Sequence, residues 1–192
     1  MLVMTGCYSF TTLGRARTVD DGKLELIAAP GVTATLGAAG DPNVRPAIEV
    51  GARYGVASNV DVGARVSSSG ATATTRVQLV RRARLEALVA PGIAYTLTDK
   101  LAFELPVVVG INVGDDQIVF APRVVYQLRT GLPHPLQFVF VGGSVGYVWQ
   151  LTARFALMPE LGVLTAVFAE PGYGTFTEAG PALQAALTLL WD

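Results

Sequence analysis

The chain has 192 residues, of which 51% are hydrophobic and 15% charged, and its net charge is -1. This length predicts one domain, since domains typically run to ~100–200 residues. Disorder is excluded, because it requires low hydrophobicity and high net charge. The balance of 14 basic and 15 acidic residues contains nothing typical of a nucleic-acid binder. One Cys and one His exclude a disulfide framework and a multi-cysteine zinc site.

The hydropathy of the chain points towards a membrane, but not towards membrane helices. The mean hydropathy of +0.45 is high for a soluble domain. No stretch approaches the ~18 uninterrupted apolar residues of a membrane helix. The 21 Gly and 11 Pro residues are spread along the sequence and disfavour long helices. Strands are therefore the expected elements.

Residues 1–22 differ in character from the remainder of the chain. An apolar run ends at Cys7, and 8–22 form a polar stretch that includes Arg15 and Asp20. We interpret 1–22 as a signal remnant followed by a periplasmic tether outside the folded domain, and 23–192 as that domain, a β-barrel.

From residue 23 onward the dominant pattern is the two-residue alternation of β-strands with one apolar face. The predicted strands are 23–32, 46–56, 59–68, 73–81, 84–95, 100–112, 117–128, 136–149, 154–167 and 180–191. Short turns join most of them, so consecutive strands must be antiparallel neighbours. The sequence predicts an all-β fold, an antiparallel up-and-down transmembrane β-barrel of about ten strands, with eight or twelve as alternatives.

Two irregularities are expected within these strands. The Ala-Pro-Gly sequences at 29–31 and 90–92 indicate a recurring kink, since Pro removes a ladder hydrogen-bond donor. Phe138 and Phe140 share a parity opposite to that of Val145, Tyr147 and Trp149. A bulge at the Gly pair 142–143 would bring all five to one face.

The composition of the two faces predicts which one points outward. The face opposite the large apolar residues is mostly Gly and Ala with isolated charges, which suits a narrow interior. These charges nearly cancel, so we predict a luminal ion-pair network. Its predicted members are Glu49, Arg53, Asp61, Arg65, Arg76, Glu86, Glu104, Arg123, Arg154 and Glu160. The apolar face is then the one that contacts lipid.

Aromatic residues near strand ends on the apolar face support this orientation. Membrane barrels carry aromatic girdles at both interfaces. The predicted girdle consists of Tyr54, Tyr95, Tyr126, Tyr147, Trp149, Phe155 and Trp191.

The alternating segments, tight turns and final strand ending at Trp191 resemble the small outer-membrane β-barrel proteins of Gram-negative bacteria. This resemblance covers residues 23–192 and implies a bacterial outer membrane, a periplasmic N-terminus and assistance from the outer-membrane assembly machinery. Asp192 follows the aromatic residue that this group places at the end of the closing strand.

The sequence Val3-Met-Thr-Gly-Cys7 resembles a bacterial lipoprotein processing site. The resemblance implies that Cys7 is lipidated. A basic region and a 7–15-residue apolar region are expected upstream of such a site, so we expect the full gene to encode residues before Met1.

No constellation for catalysis is evident. The sequence has no phosphate loop, metal-ligand spacing or nucleophile elbow, so we predict no enzyme, metal or cofactor. The expected function is a structural or narrow-channel role in the outer membrane, with membrane lipid as partner. The alternative is a periplasmic lipoprotein whose soluble barrel binds an apolar ligand. The ligand and the oligomeric state are not predictable from the sequence.

Overall fold

The computed structural model of the chain describes residues 11–12, 14–36, 42–97, 99–130, 136–169 and 181–192. All regular structure among these residues is β-strand. The strands are β1 (Leu24–Leu36), β2 (Pro42–Ala57), β3 (Val60–Ser67), β4 (Gly70–Arg81), β5 (Leu85–Val89), β6 (Gly92–Thr96), β7 (Lys100–Val113), β8 (Asp116–Arg129), β9 (Leu136–Thr152), β10 (Phe155–Ala169) and β11 (Ala182–Trp191). The described residues contain no helix with the length and hydropathy needed to cross a membrane.

The strands form one closed antiparallel barrel in which neighbours in sequence are neighbours in space. β1 and β11 close it, in a register that runs from Leu26 opposite Trp191 to Thr35 opposite Ala182. β5 and β6 both pair with β4 on one side and β7 on the other. They are therefore two halves of one barrel strand, which gives ten strand positions. The predicted up-and-down barrel of about ten strands is confirmed.

The break between β5 and β6 lies at Ala90-Pro91, one of the two sites where the sequence predicts a kink. The other site, 29–31, lies within the continuous strand β1, which pairs with β2 without a shift of register. Pro91 has no N–H group to donate, but its carbonyl oxygen accepts a hydrogen bond from the Thr75 N–H at 3.0 Å. The Ala90 N–H donates to the Pro106 carbonyl oxygen, also at 3.0 Å. The wall is thus held together across the break.

The bulge predicted at Gly142-Gly143 is wrong. β9 pairs with β8 without a shift of register from Leu136 to Val148. Phe140 faces the lumen and packs against a buried cluster of Ala94, Ala102, Val125 and Leu164. The small side chains opposite it leave the room that a phenyl ring needs inside the barrel, so no change of face is required.

The register shifts observed among the described strands occur elsewhere, next to Val56, Leu79, Leu151 and Val167. The shift at Leu79 reverses the inside–outside alternation near the end of β4. As a result Arg81 can reach the lumen, where its guanidinium contacts Thr18.

The two ends of the barrel differ. We call the end that holds 21–24, 191–192 and the turns 58–59, 82–84, 114–115 and 153–154 the terminal end. At the opposite, loop end lie the turn 68–69 and the strand ends that flank 97–99, 37–41, 130–135 and 170–181, the last three being the longer stretches in the sequence.

The alternation in sequence becomes alternation between the two sides of the wall. On β7, Val107 is 37% exposed on the outside, whereas Val108 is 2% exposed in the lumen. The outer wall is apolar along its length, as predicted. Its exposed residues include Leu26, Ile48, Val66, Leu79, Ile93, Leu105, Val124, Leu161, Leu183 and Leu187.

Candidate functional site in the barrel lumen

A stretch of irregular chain lies inside the barrel. We call its described part, residues 11–12 and 14–20, the luminal segment. It enters at the terminal end, where the Gly22 N–H donates to the Gly55 carbonyl oxygen at 3.0 Å. A Cβ at Gly55 would lie 2.1 Å from the Asp20 carbonyl oxygen, so only Gly fits there. Our interpretation of 8–22 as a tether outside the barrel did not foresee this position.

The barrel wall accepts hydrogen bonds from the N–H groups of the luminal segment. Buried backbone groups need partners, and an irregular segment cannot find them within itself. Here oxygen atoms of wall side chains accept these hydrogen bonds. The donors and acceptors are Thr12 N–H to Glu160 Oε1 (2.6 Å), Ala16 N–H to Gln117 Oε1 (2.8 Å), Thr18 N–H to Gln78 Oε1 (2.8 Å) and Val19 N–H to Asp61 Oδ2 (2.8 Å).

Wall arginines make hydrogen bonds in the opposite direction, because they donate to oxygen atoms of the segment. The Arg65 guanidinium donates to the Thr11 carbonyl oxygen at 3.0 Å. The Arg76 guanidinium donates to the Arg17 carbonyl oxygen at 2.8 Å. Arg123 donates to the Thr12 hydroxyl oxygen at 3.0 Å. The wall and the segment are therefore chemically complementary along the whole described stretch.

Ala16 anchors the middle of the segment by apolar contact. It is fully buried in a cluster that includes Leu88, Val119 and Met158. A Cβ at Gly110 would come within 2.7 Å of the Ala16 Cβ, so this glycine makes room for the segment. The prediction that small and charged residues line the lumen is thus incomplete, because part of the lining consists of large apolar side chains.

The predicted luminal charges are mostly brought together in the interior. Glu104 lies 3.1 Å from Arg65 and 3.9 Å from Arg123, measured between carboxylate oxygen and guanidinium nitrogen. Arg65 also lies 3.9 Å from Glu49. The buried Asp61 and Arg76 are 3.7 Å apart.

Three further members of the predicted set face the lumen with other partners. Glu86 accepts a hydrogen bond from the Gln117 amide at 2.8 Å. Glu160 accepts from the luminal segment, as described above. Arg53 pairs with Glu25 at 2.5 Å. Glu25 was missed because the irregular apolar run of the first strand hides its alternation.

Arg154 lies outside the network, and its assignment to the lumen needs correction. β9 ends at Thr152 and β10 begins at Phe155, so Arg154 occupies the intervening two-residue turn and is exposed. It lines an open cavity of about 530 Å³ at the terminal end, together with Arg17, Lys23 and Asp192.

The seven predicted girdle residues lie on the outside of the wall, near the strand ends. Those at the terminal end are Tyr54, Tyr147, Trp149, Phe155 and Trp191, and those at the loop end are Tyr95 and Tyr126. Phe155 and Trp191 meet edge to face with ring centroids 6.4 Å apart. The Tyr147 hydroxyl donates to an Asp116 carboxylate oxygen at 2.6 Å. Their role at two membrane interfaces stays a prediction.

Cys7 lies outside the described residues, and its lipidation stays a prediction. Among the residues that the structure does describe, no three His, Cys, Asp or Glu side chains are grouped as a metal site requires.

Comparisons with known proteins concern shape alone. No protein-family model matches the chain, and no curated protein matches it. Among solved structures it is similar to a KdgM porin in complex with disordered oligogalacturonate, with 8% identity, coverage of 88% of this chain and 98% of that one, and a TM-score of 0.47. It is also similar to the translocator domain of the autotransporter NalP from Neisseria meningitidis, with 13% identity, coverage of 90% and 89%, and a TM-score of 0.47.

A third similar structure is the outer membrane protease OmpT from Escherichia coli, with 6% identity, coverage of 88% of this chain and 94% of that one, and a TM-score of 0.47. At such identities and scores, these likenesses carry nothing about function. The barrel class follows from the closed antiparallel wall and its apolar exterior.

Proposed function

We propose that the chain is a bacterial outer-membrane β-barrel with a structural or narrow-channel role, closed by its own luminal segment. The observation that carries this proposal is the segment itself, bonded to the wall from Thr11 to Val19. The proposal includes no catalytic activity.

The size of the barrel supports a closed state. About eight strands enclose only their own side chains, and about 16–18 are needed for an aqueous channel. Ten strands leave little space, and the luminal segment takes much of it. The open cavity of about 530 Å³ lies at the terminal end, where Arg15, Thr18 and Val19 help to line it. Deeper in the barrel, a cavity beside Thr11 and Thr12 measures about 50 Å³. This is room for a few water molecules.

The distribution of polarity favours this function over a soluble barrel that binds an apolar ligand. A ligand of that kind needs an apolar interior and a polar exterior. Here Glu104, Arg123 and Asp61 are buried inside, while Ile48, Leu105 and Leu161 are exposed outside.

The orientation follows from the two ends. Outer-membrane barrels have short periplasmic turns and longer extracellular loops. We therefore propose that the terminal end faces the periplasm. Insertion by the outer-membrane assembly machinery belongs to the same proposal.

A disulfide across the lumen tests the position of the segment. The Thr12 and Ser144 hydroxyl oxygens are 2.7 Å apart. Sulfurs placed there by Thr12→Cys and Ser144→Cys lie close to the ~2.05 Å of an S–S bond. In a Cys7→Ser background, oxidation of membranes should cross-link this pair nearly completely. A matched pair, Thr12→Cys with Ser58→Cys in the exposed turn at the terminal end, should stay unlinked.

Conductance in planar bilayers tests closure. We expect the unmodified protein and the cross-linked variant to carry little or no steady current. Ala16→Trp should displace the segment, because the fully buried Ala16 site has no room for an indole. Steady current should then appear and the Thr12–Ser144 cross-link should be lost. Arg17→Trp, at a half-exposed site, should leave both unchanged.

Two results would contradict the proposal. A large steady current from the cross-linked protein would show that the lumen is open around the segment. An Ala16→Trp variant that carries no steady current and no longer cross-links would show that wall side chains alone close the barrel.

We also propose that Cys7 is acylated. The proposal rests on the sequence Val3-Met-Thr-Gly-Cys7, which resembles a lipoprotein processing site. Intact-mass spectrometry of protein expressed from the full gene should show an acyl-sized excess that Cys7→Ala removes. An unmodified thiol at Cys7 would refute the acylation and leave the barrel unaffected.

A further inference from the structure

We infer that the turn between β4 and β5 holds the phosphate of an anionic phospholipid between Arg82 and Arg84. This inference rests on the proposed membrane location. The turn lies at the terminal end, and all three of its residues, 82–84, are exposed.

The turn is fixed in place. The Arg82 N–H donates to the Leu85 carbonyl oxygen at 2.9 Å, and the Leu85 N–H donates back at 3.3 Å. Asn112 on β7 ties it from the side, because its amide donates to the Ala83 carbonyl oxygen at 3.1 Å. The Asn112 N–H donates to the Arg84 carbonyl oxygen, also at 3.1 Å. Two guanidinium groups are thus carried on a rigid base.

Neither guanidinium has a partner among the described residues. The nearest acidic residue along the chain, Glu86, is buried and faces the lumen. The adjacent Arg81 turns inward and donates to the Thr18 hydroxyl at 3.2 Å. Arg82 and Arg84 therefore present two guanidinium groups that make no ion pair with the described residues.

The surroundings of these charges are those of a membrane interface. Leu79, Leu85 and Val113 are exposed on the outer wall beside the turn. The aromatic residues of the terminal end lie on β2, β9, β10 and β11, and the part of the wall formed by β3, β4, β5 and β7 has none there. Arginine replaces aromatic rings as the interfacial anchor on this side.

The chemistry of arginine selects the ligand. A guanidinium binds phosphate through two parallel hydrogen bonds, and positive charge near a membrane surface attracts anionic lipids. A phosphatidylglycerol headgroup combines a phosphate that carries the charge with acyl chains that can lie along Leu79 and Leu85. Phosphatidylcholine carries its own positive charge and should bind less well.

The test uses the full chain in vesicles of phosphatidylcholine alone and in an equimolar mixture with phosphatidylglycerol. After detergent extraction, native mass spectrometry counts the lipids that stay bound. We expect the unmodified barrel to retain phosphatidylglycerol in excess of its share. Arg82→Gln with Arg84→Gln should lower this preference by about fivefold for each arginine.

A matched control removes the same charge at the same end. Arg17→Gln with Arg154→Gln loses two exposed arginines and should keep the preference. Equal loss in both variants would show an effect of net charge and would overturn the inference. The inference would also be overturned if the Arg82 and Arg84 variant kept its preference for phosphatidylglycerol, or if inorganic phosphate displaced the lipid. Failure to insert into either vesicle would instead count against the proposed membrane location.

Discussion

Val107→Arg should destabilise the barrel in lipid by about 2–4 kcal/mol. Val107 lies near the middle of the 14-residue strand β7, exposed on the outer wall. An arginine there would place its charge near the bilayer midplane, where no described acidic side chain on the outer wall is available to pair with it. The measurement is reversible unfolding by denaturant from phospholipid vesicles.

The control for Val107→Arg is the same substitution on the same face of the same strand. Val113 is also exposed, but it ends β7 at the terminal end. There an arginine can reach the headgroups, so Val113→Arg should cost only about 0–1 kcal/mol. Equal effects at the two positions would mean that the outer wall does not contact lipid.

The wall of the barrel was predictable from the sequence because one physical rule governs it. In strands such as 100–112 and 117–128, one face lies against apolar surroundings. Apolar residues therefore occur at every second position of the sequence. Pro91 lacks an N–H group, but so do Pro30, Pro106, Pro122 and Pro159, which lie within continuous strands, so the missing donor alone did not locate the break. The face of Phe138 and Phe140 was misjudged, since it depends on the small residues on other strands that surround them.

The luminal segment was not predictable, because nothing in it repeats. Residues 11–20 show no period, since their partners are wall side chains contributed by many strands. A signal was present in the lining, where Glu160 and Gln117 needed donors that the predicted charge pairs did not supply. Small residues at Gly14 and Ala16 among polar neighbours are consistent with a confined path. Neither feature specifies which part of a chain enters a barrel.

Glu104→Leu should cost about 3–5 kcal/mol, the usual effect of removing one member of a buried ion pair. The Glu104 carboxylate is buried between the guanidiniums of Arg65 and Arg123. Its removal leaves Arg123 without the ion pair it makes there, while Arg65 keeps its 3.9 Å contact with Glu49 and its hydrogen bond to the Thr11 carbonyl oxygen. The measurement is the same unfolding experiment in vesicles. Asp20→Asn, which breaks half-exposed pairs, should cost at most about 1 kcal/mol.

Replacing Arg123 together with Glu104 distinguishes two contributions to the free energy of unfolding. One is the cost of leaving a buried charge unpaired, and the other is the net contribution of the ion pair. A buried ion pair replaced as a whole by apolar residues is often neutral or better, because both desolvation costs disappear. Glu104→Leu with Arg123→Leu should therefore recover much of the stability that Glu104→Leu loses. If the destabilising effects of the two single substitutions simply add in the double variant, the lumen contains enough water to solvate a lone guanidinium. Closure by the luminal segment would then be less complete than the hydrogen bonds between Thr12 and the wall imply.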